Sequence, residues 1–342
     1  MRNLITDVAG LKVGHADDAA LGSGSTVIIF DEPAIASVDL RGGGPGTRET
    51  ELLAAETTVE HVDAITLSGG SAFGLDAASG AQAWLREQGR GFAIGPARVP
   101  IVPGAVIFDL LAGGNKEWGR FSPYRELGYQ AAAAATESFA LGSAGAGMGA
   151  TVVNLKGGVG SASAITNDGL TVGAIVIVNA VGSVTIGDSA HFWAAPFERG
   201  NEFGGRGWPQ QFTPDDLAIR TKGGARQATT IALVATDAIL TTAQANRLAV
   251  MAQTGYARAI YPVHTPLDGD VVFAAATGKK PLADPLMSLT TLGSLAANVL
   301  ARAIARGVYE ATALPFADAL PSWRDTFGKI NWSETNLAKP DG

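Results

Sequence analysis

The sequence predicts a layered α+β sandwich, and three observations carry that prediction. Short β-branched runs bounded by glycine, proline or aspartate recur along the chain, as strands do. Helical patterns fall between only some of them, so the strict strand–helix alternation of a doubly wound sheet is missing. Two of the runs, 170–178 and 230–235, are apolar at nearly every position, which calls for cover on both faces.

In chain order the strand signals are 26–30, 64–67, 99–102, 151–153, 170–178, 183–186, 230–235, 257–262 and 271–275. A first helix is expected over 72–88, with Ser71 as its N-cap. An alanine-rich pattern over 125–139 gives a second. A third, 241–253, opens on a threonine and holds Leu248, Ala249 and Met251 in its apolar set. The longest runs over 286–308. The stretch 187–226 reads as irregular loop, long enough to be functional or mobile. The tail from Ala313, with Pro315, Pro321, Trp323 and Trp332, reads as a strap over the surface or a neighbouring subunit. One domain spanning 1–342 is expected, with no internal repeat.

Of the 342 residues 46% are hydrophobic and 17% charged, which is a globular composition. There is no cysteine, so disulfides, thiolate zinc sites and a cysteine nucleophile are excluded. Histidines stand only at His15, His61, His191 and His264, without metal-ligand spacing. A net charge of −7 argues against nucleic acid as a partner. Mean hydropathy is positive, yet no apolar run reaches the roughly 18 residues of a membrane helix. The first residues lack a signal-peptide core. The expectation is a cytoplasmic protein that binds no membrane, uses no cofactor and buries apolar surface in a homo-oligomer.

Four segments could carry chemistry. Asp39-Leu-Arg-Gly-Gly-Gly-Pro-Gly-Thr-Arg48 is either an anion cradle built of glycine amides or a structural loop beside a cleft. In Ser68-Gly-Gly-Ser-Ala-Phe-Gly74 the amides of Gly70 and Ser71 could bind an oxyanion or carboxylate; close helix–strand packing explains the same glycines. Asp268-Gly-Asp270 is a paired-carboxylate site or an Asp-Gly hairpin turn. Finally, Gly224-Ala-Arg-Gln-Ala-Thr-Thr-Ile231 runs from a glycine-bearing loop straight into a buried strand. That arrangement suits a self-cleaving N-terminal nucleophile. Thr229 would attack the carbonyl of Ala228, and the α-amine so freed, with an ordinary pKa of about 7.7–8.0, would serve as base to its own hydroxyl. From the pattern alone, two threonines opening a strand are ordinary.

Several motifs together raise that reading. Leu40-Arg-Gly-Gly-Gly-Pro-Gly-Thr-Arg-Glu49, Leu67-Ser-Gly-Gly-Ser-Ala-Phe-Gly-Leu75, Ala105-Val-Ile-Phe-Asp109, Gly145-Ala-Gly-Met-Gly-Ala-Thr151, Val178-Asn-Ala-Val-Gly182, Thr229-Thr-Ile231 and Pro262-Val-His-Thr-Pro-Leu-Asp-Gly-Asp270 stand in this order over nearly the whole chain. In them the chain resembles the L-aminopeptidase/D-esterase family, which includes β-peptidyl aminopeptidases and nylon-oligomer hydrolases. The resemblance implies a four-layer αββα sandwich and self-cleavage into 1–228 and 229–342. It implies Thr229 as nucleophile, Asn179 at the oxyanion and Asp268 and Asp270 beside the nucleophile, where they position an amine. It also implies a tetramer of cleaved heterodimers, acting on short peptides, amino-acid amides or ω-amino-acid oligomers. Three positions depart from the nylon-oligomer branch. Ala228 replaces an asparagine, Phe108 replaces a pocket tyrosine, and a family lysine falls on Asn154. Lys156, two residues on, would share a strand face with Asn154 and could supply the ammonium; a surface lysine is the plain alternative. Two rival functions remain: an acyltransferase like the ornithine acetyltransferases, and an uncleaved binding homologue.

Overall fold

The computed structural model describes residues 1–223 and 228–328. Its strands are β1 (Leu11–Asp18), β2 (Ser23–Leu40), β3 (Thr47–Arg48), β4 (His61–Ser68), β5 (Phe92–Ile94), β6 (Ala97–Val99), β7 (Gly104–Val106), β8 (Gly158–Ile165), β9 (Thr171–Val178), β10 (Ile231–Ala238) and β11 (Val271–Lys280). Its α-helices are α1 (Asp76–Glu87), α2 (Tyr124–Ala133), α3 (Thr242–Ala252), α4 (Thr254–Ala257), α5 (Pro285–Tyr309) and α6 (Trp323–Phe327).

One strand organises the sandwich. β2 pairs with β1 and β4 through its first half and with β11 through its second. A register shift between Ile29 and Ala34 separates the halves, at a segment that contains Pro33. The main sheet is therefore continuous in hydrogen bonding, in the order β3-β7-β4-β2-β11-β10-β9-β8. It folds over itself, and period-2 alternation divides its side chains between two faces. Ile28, Phe30, Ile65, Ile175, Ile177, Leu233 and Phe273 meet in the inner core between the two halves. Val27, Ile29 and Ala64 point outward to Ala78, Ala81 and Leu85 of α1 and to Ala131 and Ala132 of α2. Val176, Ala232 and Val234 point outward to α3 and α5, where Leu248, Val299, Leu300 and Ile304 cover them. Helices, half-sheet, half-sheet and helices give the four layers expected.

Every residue of β9 and β10 is buried, as their largely apolar sequences require, and the polar exceptions Thr236 and Asp237 are bonded to the Thr171 carbonyl and amide. Thr241 caps α3 through a capping box with Gln244. Asp284 caps α5 by accepting from the Leu286 and Met287 amides, with Pro285 at the first position. α5 is long and apolar enough to cross a membrane, but here it packs on β8 and β9.

Several local expectations are corrected. Ser71 does not cap a helix with its side chain: it sits at φ 51° inside a 3₁₀ turn, Ser71–Leu75, that leads into α1. Residues 151–153, 183–186 and 257–262 make isolated bridges or helix rather than strands. The signal at 99–102 yields only the end of the short β6. β1, β7 and β8 carried no recognised signal, because their glycines and charges dilute the β pattern. The stretch from 187 to 223 holds two 3₁₀ turns and no strand; residues 224–226 and Trp332 lie outside the described residues.

Candidate active site

Strand register assembles the site. β9 and β10 run antiparallel with Ile177 opposite Ile231. Extended past its last pair, this register sets Asn179 opposite Thr229, and the Thr229 N–H donates to the Asn179 carbonyl at 2.9 Å. β10 and β11 run parallel with Ile231 beside Val271. The same extension sets Thr229 beside Gly269 and Thr230 beside Asp270, and the Thr230 N–H donates to Asp270 Oδ1 at 2.9 Å. Residues far apart in sequence thus meet at one end of three adjacent strands.

Thr229 is only 5% exposed. Its hydroxyl donates to the carbonyl oxygen of Ala228 at 2.6 Å. That oxygen also accepts the Gly269 N–H at 3.0 Å, and the Ala228 N–H donates to the Leu267 carbonyl at 3.2 Å. The peptide ahead of Thr229 is therefore gripped, with a backbone donor polarising the carbonyl that the hydroxyl faces.

The carboxylates of Asp268 and Asp270 are both buried. Asp268 accepts the amides of Val181 at 3.1 Å and Thr265 at 2.9 Å. Asp270 accepts the Thr230 amide on one oxygen and faces the His264 amide and Nδ1 with the other, at 3.2 and 2.9 Å. Burial, and then the neighbouring Asp270, push the Asp268 carboxyl above its usual range. The Tyr256 hydroxyl donates to the carbonyls of Thr230 and Val271, and burial keeps it protonated. No hairpin forms at Asp268-Gly-Asp270, because β11 takes β10 and β2 as its neighbours.

The glycine-rich loop after β2 is no anion cradle. The amides of Arg41 and Gly42 donate to the Asp270 carbonyl, that of Gly43 to Thr265 and that of Gly44 to Asp268. It clamps the acidic loop, at a distance only glycine allows: a Cβ on Gly42 would lie 2.2 Å from the Asp270 nitrogen.

Asn179 is the hub of the remaining contacts. Its Oδ1 accepts the Thr151 amide at 3.0 Å and the Lys222 ammonium at 2.9 Å. Its Nδ2 donates to the Phe108 carbonyl at 3.1 Å. Two donors on one side and an acceptor on the other fix the amide's orientation, and Nδ2 keeps a second hydrogen to offer. A cavity of about 460 Å³ opens beside these groups, lined by Thr151 and Lys222 together with Phe108, Leu111, Phe316 and Leu320.

Other expected site residues lie elsewhere. Lys156 does not share a face with Asn154, because Thr151 and Lys156 bridge to each other and close the segment on itself. Lys156 is no surface lysine either: it is 1% exposed and donates to the carbonyls of Gly147, Ala150 and Gly157, each at 2.8 Å. Burial pushes its ammonium down to about 7. Asn154 turns toward Asp188. The amides of Gly70 and Ser71 are occupied by Asp109 and the Ile107 carbonyl, so this turn serves packing. Asp109 also accepts the Ser23 hydroxyl, and burial raises its carboxyl. Sequence reading missed Lys222 and the Gly269 amide. Lys222 stands alone in an irregular stretch, and a backbone donor has no residue-type signature.

The sequence model of peptidase family S58 matches residues 3–320. An uncharacterized aminopeptidase of Mycobacterium tuberculosis is 43% identical, covering 95% of this chain and 98% of its own. A 6-aminohexanoate-oligomer endohydrolase of Kocuria sp. is 30% identical, covering 86% and 80%. A Burkholderia sp. beta-aminopeptidase structure superposes with a TM-score of 0.70 at 22% identity, covering 97% of this chain and 95% of that one. The L-aminopeptidase D-Ala-esterase/amidase of Ochrobactrum anthropi, a variant of the Ntn hydrolase fold, gives 0.69 at 19% identity, covering 95% and 92%. These two structures share the fold.

Proposed function

The chain belongs to peptidase family S58 and is an amide-bond hydrolase, and we propose that Thr229 is its nucleophile, freed by cleavage after Ala228. One observation carries this reading: the Thr229 hydroxyl lies against the Ala228 carbonyl oxygen, which the Gly269 amide polarises from another side.

In maturation, Thr229 Oγ1 adds to the Ala228 carbonyl carbon and the C–N bond breaks. The acyl group then sits on Oγ1 as an ester and the nitrogen becomes an amine. Water hydrolyses the ester, leaving a carboxylate on Ala228 and a free hydroxyl and α-amine on Thr229. In turnover the amine takes the hydroxyl proton as Oγ1 attacks a substrate amide. The Asn179 Nδ2–H stabilises the oxyanion, the leaving amine takes the proton, and water releases the acyl group. Asp268 and Asp270 hold the loops around the nucleophile and make the site acidic, which suits substrates bearing a free ammonium. Short peptides, amino-acid amides and ω-amino-acid oligomers of the 6-aminohexanoate type are the substrate classes, and the working form is a homo-oligomer of cleaved chains in the cytoplasm.

The test is a denaturing gel with N-terminal sequencing. Two bands are expected, at about two thirds and one third of 34.9 kDa, the smaller beginning Thr-Thr-Ile. Thr229→Ala should give one full-length band and no hydrolysis. A wild-type chain that is active while uncut overturns the reading.

A further inference from the structure

We propose that Lys222 is a positioning residue for Asn179, setting its side-chain amide so that Nδ2–H faces the reaction; this rests on the reading of Thr229 as nucleophile. The geometry is specific. Lys222 lies seven residues before Thr229 in sequence, yet its side chain returns to the site and is 6% exposed. Its ammonium reaches Asn179 Oδ1 at 2.9 Å and the Asn179 carbonyl at 3.4 Å. The Thr229 N–H uses that same carbonyl. A single lysine therefore contacts both oxygens of the residue that holds the nucleophile's nitrogen.

The chemistry follows from what an amide can do. Asn179 can present either its oxygen or its NH₂ to the reacting centre, and only the NH₂ stabilises an oxyanion. An ammonium on Oδ1 is a charge-assisted donor, stronger than a neutral one. Withdrawing density through Oδ1 also makes the Nδ2 hydrogens better donors. The Thr151 amide supports the same orientation but carries no full charge. Lys222 is anchored independently of the scissile bond, since its own N–H donates to the Val181 carbonyl at 3.0 Å. It therefore stays beside Asn179 once the Ala228–Thr229 bond is cut.

Maturation and turnover use different donors on this geometry. The Ala228 carbonyl is held by Gly269, whereas a substrate carbonyl would meet Asn179. Removing Lys222 should therefore leave self-cleavage intact and slow turnover. The experiment uses the full chain as Lys222→Met, Lys222→Gln and Lys222→Arg, with alanine p-nitroanilide as probe. The Met variant should cut to completion on a denaturing gel and melt as the wild type does. Its kcat should fall about 100-fold, in the range for one lost oxyanion donor, with KM within about threefold. Gln, a shorter neutral donor, should fall between, and Arg should recover most of kcat. The Gln and Arg variants read the same split if Met does not fold. An unchanged kcat, a KM effect alone, or failure to cut in a folded variant overturns the proposal. Activity persisting in Thr229→Ala instead overturns the nucleophile assignment, so the two failures are distinguishable.

Discussion

The amide of Gly269 donates to the carbonyl oxygen of Ala228 at 3.0 Å. A Cβ at Gly269 would lie 2.7 Å from Thr229 Oγ1 and 2.6 Å from the Gly44 carbonyl oxygen. The glycine therefore brings its N–H to the Ala228 carbonyl where any side chain would collide with the Thr229 hydroxyl. Gly269→Ala is expected to accumulate full-length precursor, with cleavage slowed at least about tenfold. Time-resolved gels on freshly expressed protein measure it, and wild-type cleavage speed in the variant would refute the role.

Asn179→Ala should separate the two reactions proposed for Thr229. The Asn179 backbone carbonyl still holds Thr229, so two bands should persist on the gel. Turnover loses its side-chain donor, and kcat should fall about 100- to 1,000-fold with little change in KM. Steady-state kinetics on the cut protein give the answer.

Asp270→Asn tests the acidic pair as a structural clamp. The carboxylate receives Thr230 on one oxygen and His264 on the other. An amide keeps one acceptor and turns an NH₂ on the remaining donor, leaving a buried N–H unsatisfied. Urea denaturation should show a loss of about 1–3 kcal/mol. Equal stability would show that the pair serves only the substrate.

Lys156→Met carries a pH signature. In the folded chain burial brings the ammonium down to about 7 from 10.5. Between those values the unfolded chain binds the extra proton, so Lys156 makes stability rise with pH from about 7 upward and leaves it flat below. The wild-type minus variant difference in unfolding free energy should therefore grow between pH 7 and 9. Urea melts across that range check it; a constant difference refutes it. The variant also leaves three buried carbonyls without their donor, so it should be less stable throughout.

Much of the fold was legible because burial writes itself into sequence. β9 and β10 read as doubly covered strands, and α3 and α5 announced themselves by periodicity and caps. The segments around Thr229 and Asp268-Gly-Asp270, which the fold brings together, stand out in the sequence through motifs. Register does not. Nothing in the residues at 179, 229 and 269 says that they stand side by side, because the pairing of β10 with β9 and β11 is set by packing across the whole sheet. The place of Lys156 is not legible because the residue pattern suggests a strand where the chain closes on itself, and Lys222 is invisible because its partner lies across the fold.

β10 and β11 lie side by side in the main sheet, with β9 on one flank and β2 on the other. Cleavage after Ala228 would leave the inner two strands on one polypeptide and both flanking strands on the other. Separating the pieces would tear two ladders and expose the buried stretches of β9, β10 and β11, so the cut enzyme should persist as one particle. The cut would nonetheless change the molecularity of denaturation. Each precursor subunit unfolds into one chain and each mature subunit into two, so the melting temperature of the mature enzyme should fall more steeply on dilution than that of the precursor.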